Sequence, residues 1–266
     1  MKKIFTLIAI AMMAIGAQAQ EKVLFSNDAT YGNGAELTTE NTKLVLGNDR
    51  TTKNYDKKLA SVKAYCAELF GQTVPVKNED TDEMEDKTRV VYVVGNQNPK
   101  DGEIDGDKST GNGYKPETAN LPKSGTYYMI TSSKSGSILA FIVLNADKNF
   151  YVAKASTGEC LPTSALTIKA DGDEPSTVAL NDDFTVGEKT TGTVEFAVEA
   201  GETYYVFCTG SKLSFGGYIF TEGSTESIST VKTIAANNAI YNLAGQKVVA
   251  GYKGLVIKNG KKIVMK

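Results

Sequence analysis

The segment Thr193-Val-Glu-Phe-Ala-Val-Glu199 decides the fold class, because its apolar and charged residues alternate with the two-residue period of a β-strand. The alternation predicts a half-buried strand of an antiparallel sheet, with one face toward the core and the other toward solvent. The residues concerned are Val194, Phe196 and Val198 on the buried face, and Glu195 and Glu199 on the exposed face.

Further strand patterns lie on both sides of this segment. The turn at 200–202 leads into a predicted strand over Thr203–Cys208, and Lys212–Phe220 predicts the returning strand. Earlier apolar runs, separated by Gly, Asn or Pro, predict strands over Lys43–Leu46, Arg89–Val94, Thr126–Thr131, Ser137–Asn145, Asn149–Ala153 and Ala165–Ala170. Short antiparallel strands at this spacing predict an all-β fold, a jelly-roll-like β-sandwich, over about Glu21–Glu222.

One segment before these strands predicts a helix. Apolar residues recur at helical spacing in Tyr55–Phe70, and Gly71 would end the helix. The next segment, 78–87, holds six carboxylates in ten residues, which favours a solvated loop over an active site. The stretch 95–125 is rich in Gly, Asn, Asp, Lys and Pro and is expected to be a long functional or mobile loop.

The N-terminus has the three parts of a secretory signal peptide over residues 1–19. Lys2 and Lys3 are followed by the apolar stretch Ile4–Gly16 and by Ala17-Gln-Ala19, which fits the small-x-small cleavage rule. We therefore expect an exported protein that begins at Gln20, without a lipid and without a transmembrane segment in the mature chain. Its expected location is the periplasm, the cell surface or the extracellular medium.

Composition excludes several chemistries. The absence of His excludes Ser-His-Asp and Cys-His catalysis and zinc sites that use imidazole. The absence of Trp leaves the 13 Tyr for any sugar stacking. The net charge of −2 gives no reason to expect nucleic acid as a partner. Cys66, Cys160 and Cys208 allow either one disulfide and a free thiol or three buried thiols.

The segment 101–109 resembles the first part of a calcium-binding loop. Oxygen ligands stand at alternate positions, and Gly106 occupies the sixth place, where such a loop turns sharply. The twelfth position, however, is Asn112 rather than a bidentate Glu, and a strand precedes the loop. Either this is a solvated turn without a cofactor, or calcium is bound by Asp101, Glu103, Asp105 and Asp107.

Tyrosines provide the candidate ligand-binding residues. Tyr31 and Tyr114 lie in segments rich in Gly and Asn, where an aromatic ring has little core to join, so both are predicted to be exposed and to bind a ligand. The pairs Tyr127-Tyr128 and Tyr204-Tyr205 are different, because adjacent strand residues point to opposite faces. In each pair we expect one core residue and one exposed residue.

The C-terminal part predicts a separate small β module. Residues 224–238 have the composition of a linker, and four short strand patterns follow over Ala239–Leu243, Gln246–Val249, Gly254–Ile257 and Lys261–Val264. Asn259-Gly260 between the last two predicts a type I′ hairpin. We place the boundary near Glu226, which gives a β-sandwich over 20–226 and a linker with a β-hairpin module over 227–266.

Two parts of the chain resemble known families. The motifs Ala200-Gly-Glu-Thr-Tyr-Tyr-Val-Phe207 and Gly210-Ser-Lys-Leu-Ser-Phe-Gly-Gly-Tyr-Ile-Phe220 resemble the closing strands of jelly-roll, carbohydrate-binding-like modules in secreted Bacteroidetes proteins, many of which accompany polysaccharide-degrading domains. The motif Ile240-Tyr-Asn-Leu-Ala-Gly-Gln-Lys-Val248 and the basic C-terminal strand resemble the end of type IX secretion sorting domains. The second resemblance implies contact with a secretion machinery.

These observations lead to three hypotheses about function. The first is an exported, non-catalytic carbohydrate-binding or substrate-capturing protein of the cell envelope, which predicts an exposed cluster of Tyr beside polar groups. The alternative is a structural or adhesive surface protein that binds another protein, which predicts an exposed apolar patch or an open strand edge. The third is a carboxylate-based glycan-active enzyme, which predicts a cleft with paired acids.

Overall fold

The computed structural model describes residues 20–47, 54–95, 114, 116–117, 119, 121–122, 126–209, 213–223, 240–242, 247–248, 254–258 and 261–265. The chain divides into two compact units, Met1–Ser224 and Thr225–Lys266. Strands dominate the described residues, and two antiparallel sheets of the first unit pack together, so the predicted all-β sandwich is confirmed. The predicted signal peptide, residues 1–19, lies outside the described residues.

The larger sheet has ten antiparallel strands. Eight of them are hydrogen-bonded neighbours in the order β12 (Ser176–Val178), β11 (Thr167–Ala170), β13 (Thr190–Val198), β9 (Gly136–Leu144), β15 (Ser214–Glu222), β7 (Met84–Gly95), β5 (Asn54–Ala60) and β2 (Tyr31–Gly32). Two more strands complete it: β1 (Gln20–Val23) pairs with β15, and β6 (Gln72–Lys77) pairs with β7.

The smaller sheet has five antiparallel strands, in the order β10 (Phe150–Lys154), β14 (Thr203–Cys208), β8 (Tyr127–Ser132), β4 (Thr42–Gly47) and β3 (Glu36–Thr38). Besides the strands, the first unit contains the helix α1 (Ala64–Phe70) and a short 3-10 turn (Thr163–Ala165). The helix packs on the outer face of the larger sheet, where Cys66 and Phe70 join Phe141 and Val90 in a buried apolar cluster.

Aromatic residues join the two sheets. Tyr128 of β8 stacks on Phe215 of β15, with ring centroids 4.5 Å apart and ring planes at 18°. The Tyr128 hydroxyl donates to the Leu213 carbonyl oxygen at 2.8 Å, and the hydroxyls of Tyr218 and Thr42 lie 2.8 Å apart. Because a buried hydroxyl without a partner is costly, these bonds between strands of opposite sheets fix how the sheets face each other.

Strand β13 has the predicted pattern. The exposed fractions of Val194, Phe196 and Val198 are 0, 2 and 3%, whereas Glu195 and Glu199 are exposed. The period-two alternation in the sequence is therefore the alternation between core and solvent in the folded sheet.

The predicted helix over Tyr55–Phe70 is confirmed only in its second half. Residues 64–70 form α1, but residues 54–60 form β5, whose Tyr55 is buried and whose Asp56 is exposed. Six residue pairs join β5 to β7, from Tyr55–Gly95 to Ala60–Val90. The prediction was wrong for β5 because pairing with a strand some 30 residues away outweighed a local helical spacing.

The prediction of a solvated loop over 78–87 is corrected by the pairing of β6 with β7. The acid-rich segment 78–87 is a loop only as far as Glu83, because Met84 begins β7. Residues 84–87 pair with β6, and the side chains of 84–86 are exposed, so these acids stand on a solvated hairpin. The ladder hydrogen bonds to β6 give this polar segment a strand conformation that its composition did not predict.

The N-terminus of α1 is capped by a residue from a distant part of the chain. The Asp171 carboxylate accepts hydrogen bonds from the backbone N–H groups of Lys63 at 2.6 Å and Cys66 at 3.0 Å. The Gly172 carbonyl oxygen accepts a third from the Tyr65 N–H at 3.0 Å. The N-cap residue Lys63 makes no side-chain cap of its own. Asp171 therefore supplies the acceptor that a local Ser, Thr or Asp usually provides.

Replacing Asp171 by alanine should lower the free energy of unfolding by about 1–2 kcal/mol, the usual cost of losing an N-cap. Urea denaturation followed by circular dichroism measures the change. Asp173→Ala is the matched control, because Asp173 is exposed two residues away. Equal losses in the two variants would contradict the capping role of Asp171.

The second unit forms its own antiparallel sheet of four strands, one within or overlapping each of the four predicted strand patterns. The order is β17 (Lys247–Val248), β16 (Ile240–Asn242), β18 (Gly254–Lys258) and β19 (Lys261–Met265). Lys258 pairs with Lys261, so two residues connect β18 to β19.

Candidate functional site

Tyr31 is a core residue, contrary to the prediction that it is an exposed loop aromatic. Its exposed fraction is 6%, and its ring meets that of Phe25 edge to face with centroids 4.9 Å apart. Its hydroxyl oxygen accepts a hydrogen bond from the Ser26 N–H at 2.7 Å. The expected exposure was wrong because Tyr31 begins β2, where pairing with Tyr55 directs it into the sandwich.

Tyr114 is also buried, with an exposed fraction of 6%. Its ring centroid lies 4.8 Å from that of Tyr151 and 5.1 Å from that of Phe207. Its hydroxyl donates a hydrogen bond to the Gly158 carbonyl oxygen at 3.1 Å. Exposure of Tyr114 was predicted from its Gly- and Asn-rich neighbours in the sequence. The prediction was wrong because the Tyr114 ring packs on aromatic residues that are distant in the sequence. Neither Tyr31 nor Tyr114 therefore offers an exposed ring to a sugar.

The calcium candidates Asp101, Glu103, Asp105 and Asp107 lie outside the described residues. Within the described ranges, no group of three or more Cys, Asp or Glu residues is placed to hold a metal ion.

The aromatic residues beside Tyr114 belong to a cluster on the outward face of the smaller sheet, which we call the outer aromatic cluster. Alternation along β8 and β14 places Tyr128 and Tyr204 toward the core and leaves Tyr127 and Tyr205 on the opposite face. The aromatic members of the cluster are Tyr114, Tyr127, Tyr151, Phe184, Tyr205 and Phe207.

Tyr127 and Tyr205 are two half-buried members of the cluster that lie side by side on neighbouring strands. Their ring centroids are 5.3 Å apart, their planes differ by 30°, and both side chains are half-buried. Their neighbours Tyr128 and Tyr204 are buried, with exposed fractions of 0 and 1%, which confirms the prediction of one core residue in each Tyr pair. The second member is half-buried rather than fully exposed, because the two rings cover each other.

The position of the Tyr127 ring depends on a glycine in the adjacent strand. A Cβ atom at Gly47 of β4 would stand 1.9 Å from the nearest atom of the Tyr127 ring. A residue with a side chain at this place would therefore displace the ring. Gly47 leaves room for the Tyr127 ring against β4, next to the Tyr205 ring.

A rigid loop fixes Phe184 at one end of the cluster. Its ring is half-buried, and the ring centroids of Phe184 and Tyr151 are 4.8 Å apart. The φ of Phe184 is +64°, which is unfavourable for a residue with a Cβ atom. Asp183 Oδ1 accepts hydrogen bonds from the Thr185 N–H and hydroxyl, at 3.1 and 2.6 Å, which lowers the pKa of the Asp183 carboxyl. The Phe184 carbonyl oxygen accepts a bond from the Phe150 N–H at 2.8 Å.

Polar groups lie beyond the tyrosines on the same two strands. The hydroxyls of Thr131 and Thr203 are 2.8 Å apart, and Glu202 accepts a bond from the Thr203 N–H at 2.8 Å. Burial tends to raise the pKa of Glu202, but hydrogen bonds from Ser156 and Thr203 hold it below its usual value. The sheet face thus offers aromatic rings next to hydroxyls and an ionised carboxylate.

The cysteines contribute no reactive thiolate to this region. Cys66, Cys160 and Cys208 are all free, so of the two alternatives in the sequence the disulfide is not formed. Burial raises the pKa of Cys208 to about 12 and also raises that of Cys160, which is half-buried beside Tyr114. Both thiols are therefore protonated at neutral pH.

Several carboxyl groups of the described residues have a shifted pKa. Those whose pKa departs clearly from the ordinary value are all shifted downward, and they are Glu85, Asp147, Asp183 and Glu202. A glycosidase needs one carboxyl with a raised pKa as its acid. None of the shifted carboxyls in the described ranges has the raised pKa of such an acid.

The helices found in the described residues are too short or too polar to span a membrane. No family model matches the chain, and no curated protein shows a significant match to it.

Proposed function

We propose that the protein is an exported, non-catalytic glycan-binding protein, and that its site is the outward face of the smaller sheet around Tyr127 and Tyr205. The observation that carries the proposal is the pair of half-buried rings, 5.3 Å apart between centroids, on one sheet face. Sugars combine apolar ring faces with a periphery of hydroxyls. They therefore suit aromatic rings flanked by hydrogen-bonding groups such as those of Thr131 and Glu202.

The signal-peptide pattern and the family resemblances support the same proposal. Export would bring the protein to the cell envelope, where glycans are abundant, and the resemblance to modules that accompany polysaccharide-degrading domains points to the same class of ligand. The C-terminal resemblance adds a localisation signal to the proposal, since a sorting domain would direct the protein to a type IX secretion machinery. This part of the proposal concerns localisation and does not depend on the tyrosines.

The described surface gives less support to a structural or adhesive protein. Met84, with an exposed fraction of 62%, is the one large apolar side chain in the described ranges that is mostly exposed. The edge strands β3 and β12 have three residues each, and the edge strand β6 contains Pro75, which cannot donate a ladder hydrogen bond. Short edges and an edge proline disfavour the addition of a partner's strand.

Binding is expected to be weak, with a Kd between about 10 μM and 1 mM, because a sheet face that stacks one or two sugar rings gains only a few kcal/mol beyond the cost of association. A broad glycan array, probed with the mature chain, identifies the ligand. Isothermal titration with that ligand then measures its Kd.

Replacing Tyr205 by alanine should raise the Kd of that ligand at least fivefold, or about 1 kcal/mol, because one of the two stacking rings is lost. The matched control is Tyr92→Ala, since Tyr92 is likewise half-buried but belongs to β7 of the larger sheet. The control should change the Kd less than twofold.

Three results would count against the proposal in different ways. If both variants weaken binding equally, the site is not the Tyr127–Tyr205 face, although the function stands. If the ligand is cleaved during titration, so that reducing ends accumulate, the enzyme hypothesis replaces the binding one. If no glycan binds at millimolar concentration, the adhesive hypothesis becomes the better one.

A further inference from the structure

The charge of the chain is distributed very unevenly between its two units. Residues 225–266 contain seven lysines and one acidic residue, Glu226, which gives this unit a formal charge of +6. Since the whole chain has a charge of −2, the preceding 224 residues have a charge of −8. The small net charge therefore conceals a strongly basic C-terminal unit. Its lysines are Lys232, Lys247, Lys253, Lys258, Lys261, Lys262 and Lys266.

The strand pairing gathers four of these lysines at one end of the four-stranded sheet, which we call the lysine end. One register row across β17, β16, β18 and β19 consists of Lys247, Tyr241, Ile257 and Lys262. The adjacent row consists of Val248, Ile240, Lys258 and Lys261. Half of the eight positions in these rows are thus lysine, and none is acidic.

Such an arrangement is unfavourable for the sheet on its own. Lys258 stands directly opposite Lys261, and like charges at directly opposed positions of an antiparallel pair destabilise it. No acidic residue follows Glu226 in the sequence, so the unit contains no carboxylate that alternates with these lysines. A countercharge from outside the unit would remove the repulsion.

We infer that the lysine end is a second binding surface, and that its partner is an anionic polysaccharide, a polymer with carboxylate or sulfate groups. Lys247 and Lys262 stand three strand spacings apart, about 14 Å, so that several charged groups of one polymer can be bound at once. Alternation along the strands assigns Lys258 and Lys261 to one face of the sheet and Lys247 and Lys262 to the other. Charge on both faces suits a chain that wraps around the sheet end better than a flat lipid surface.

The inference is independent of the tyrosine site, because it uses no residue of the smaller sheet. It also predicts where a polyanion binds on the whole molecule. The first unit is acidic and repels a polyanion, so attraction is confined to the C-terminal unit. Binding should weaken strongly with salt, since each ionic contact is screened.

The test uses the mature chain from Gln20 to Lys266 and two immobilised probes, the sulfated polysaccharide heparin and the carboxylated polysaccharide polygalacturonate. Binding is measured at about 0.1 M salt, where the Debye length is about 10 Å. In the triple variant Lys258→Gln, Lys261→Gln and Lys262→Gln, we expect the Kd to rise at least tenfold for one or both probes. The matched control removes three exposed lysines of the first unit, in the variant Lys58→Gln, Lys63→Gln and Lys189→Gln. It has the same net charge and should change the Kd less than twofold.

Further measurements make each outcome decisive. The single variant Lys261→Gln, which removes one charge from the opposed pair, should weaken binding at least twofold, so the test does not depend on the folding of the triple variant. Equal losses in the triple variant and its control, or binding that is insensitive to salt, would overturn the inference.

Stronger retention of the chain by vesicles of anionic phospholipid than by either polysaccharide would assign the lysine end to a membrane instead. Binding of an uncharged glycan at the tyrosine site should be unaffected by the lysine variants, which separates a failure of this inference from a failure of the tyrosine site.

Discussion

Replacing Phe196 by alanine should lower the free energy of unfolding of the first unit by about 3–5 kcal/mol, from lost transfer energy and the cavity that is left. Phe196 lies two residues before the end of β13, pairs with Ile138 of β9 and has an exposed fraction of 2%. Its ring centroid is 5.8 Å from that of Tyr204 in the opposite sheet. The neighbouring backbone is held by strands on both sides, so the cavity cannot close easily.

Equilibrium urea denaturation, followed by circular dichroism, measures this effect. The matched control is Glu195→Ala, because Glu195 is adjacent in the same strand but exposed. It should change the free energy of unfolding by less than about 0.5 kcal/mol. A loss below about 1.5 kcal/mol in Phe196→Ala would show that the two sheets can repack around the missing ring.

The sequence predicted the parts of the fold that depend on local patterns. The strand around Phe196 could be recognised because its apolar and charged residues alternate in the sequence as core and solvent positions alternate in the strand. The boundary between β5 and α1 could not, since Tyr55–Ala60 becomes a strand only through its pairing with β7. The capping of α1 by Asp171 could not be predicted from the sequence either, because Asp171 and Cys66 are 105 positions apart in the chain.

The candidate site was harder to predict than the fold, for a physical reason. A polar neighbourhood in the sequence was taken as a sign that Tyr31 and Tyr114 are exposed, yet each ring packs on aromatic residues from other elements. The better indication of an outward-facing ring was the pair of adjacent tyrosines in each of two strands, because alternation must place one of the two outward. The sequence could not show that Tyr127 and Tyr205 come from neighbouring strands, which depends on the pairing of β8 with β14.

Replacing Gly217 by alanine should also lower the free energy of unfolding, by about 2.5–5 kcal/mol, for a reason that differs from that of a core cavity. The φ of Gly217 is +93°, and the left-handed region costs a residue with a Cβ atom about 1–2 kcal/mol. In addition, a Cβ atom there would stand 2.1 Å from the Val23 carbonyl oxygen of β1. Moving β1 away exposes Val23, whose burial contributes about 1.5–3 kcal/mol.

A second glycine separates these two contributions. Gly201 has a φ of +80°, but nothing lies within 4 Å of the Cβ atom that alanine would add. Gly201→Ala should therefore cost only the backbone strain, about 1–2 kcal/mol, and the difference between the variants measures the clash with β1. Urea denaturation gives both values, and limited proteolysis should release residues 20–23 earlier in Gly217→Ala than in Gly201→Ala. Equal losses in the two variants would mean that β1 moves aside at no cost. In that case the pairing of Gln20 with Thr221, at the expected start of the mature chain, would contribute little to the sandwich.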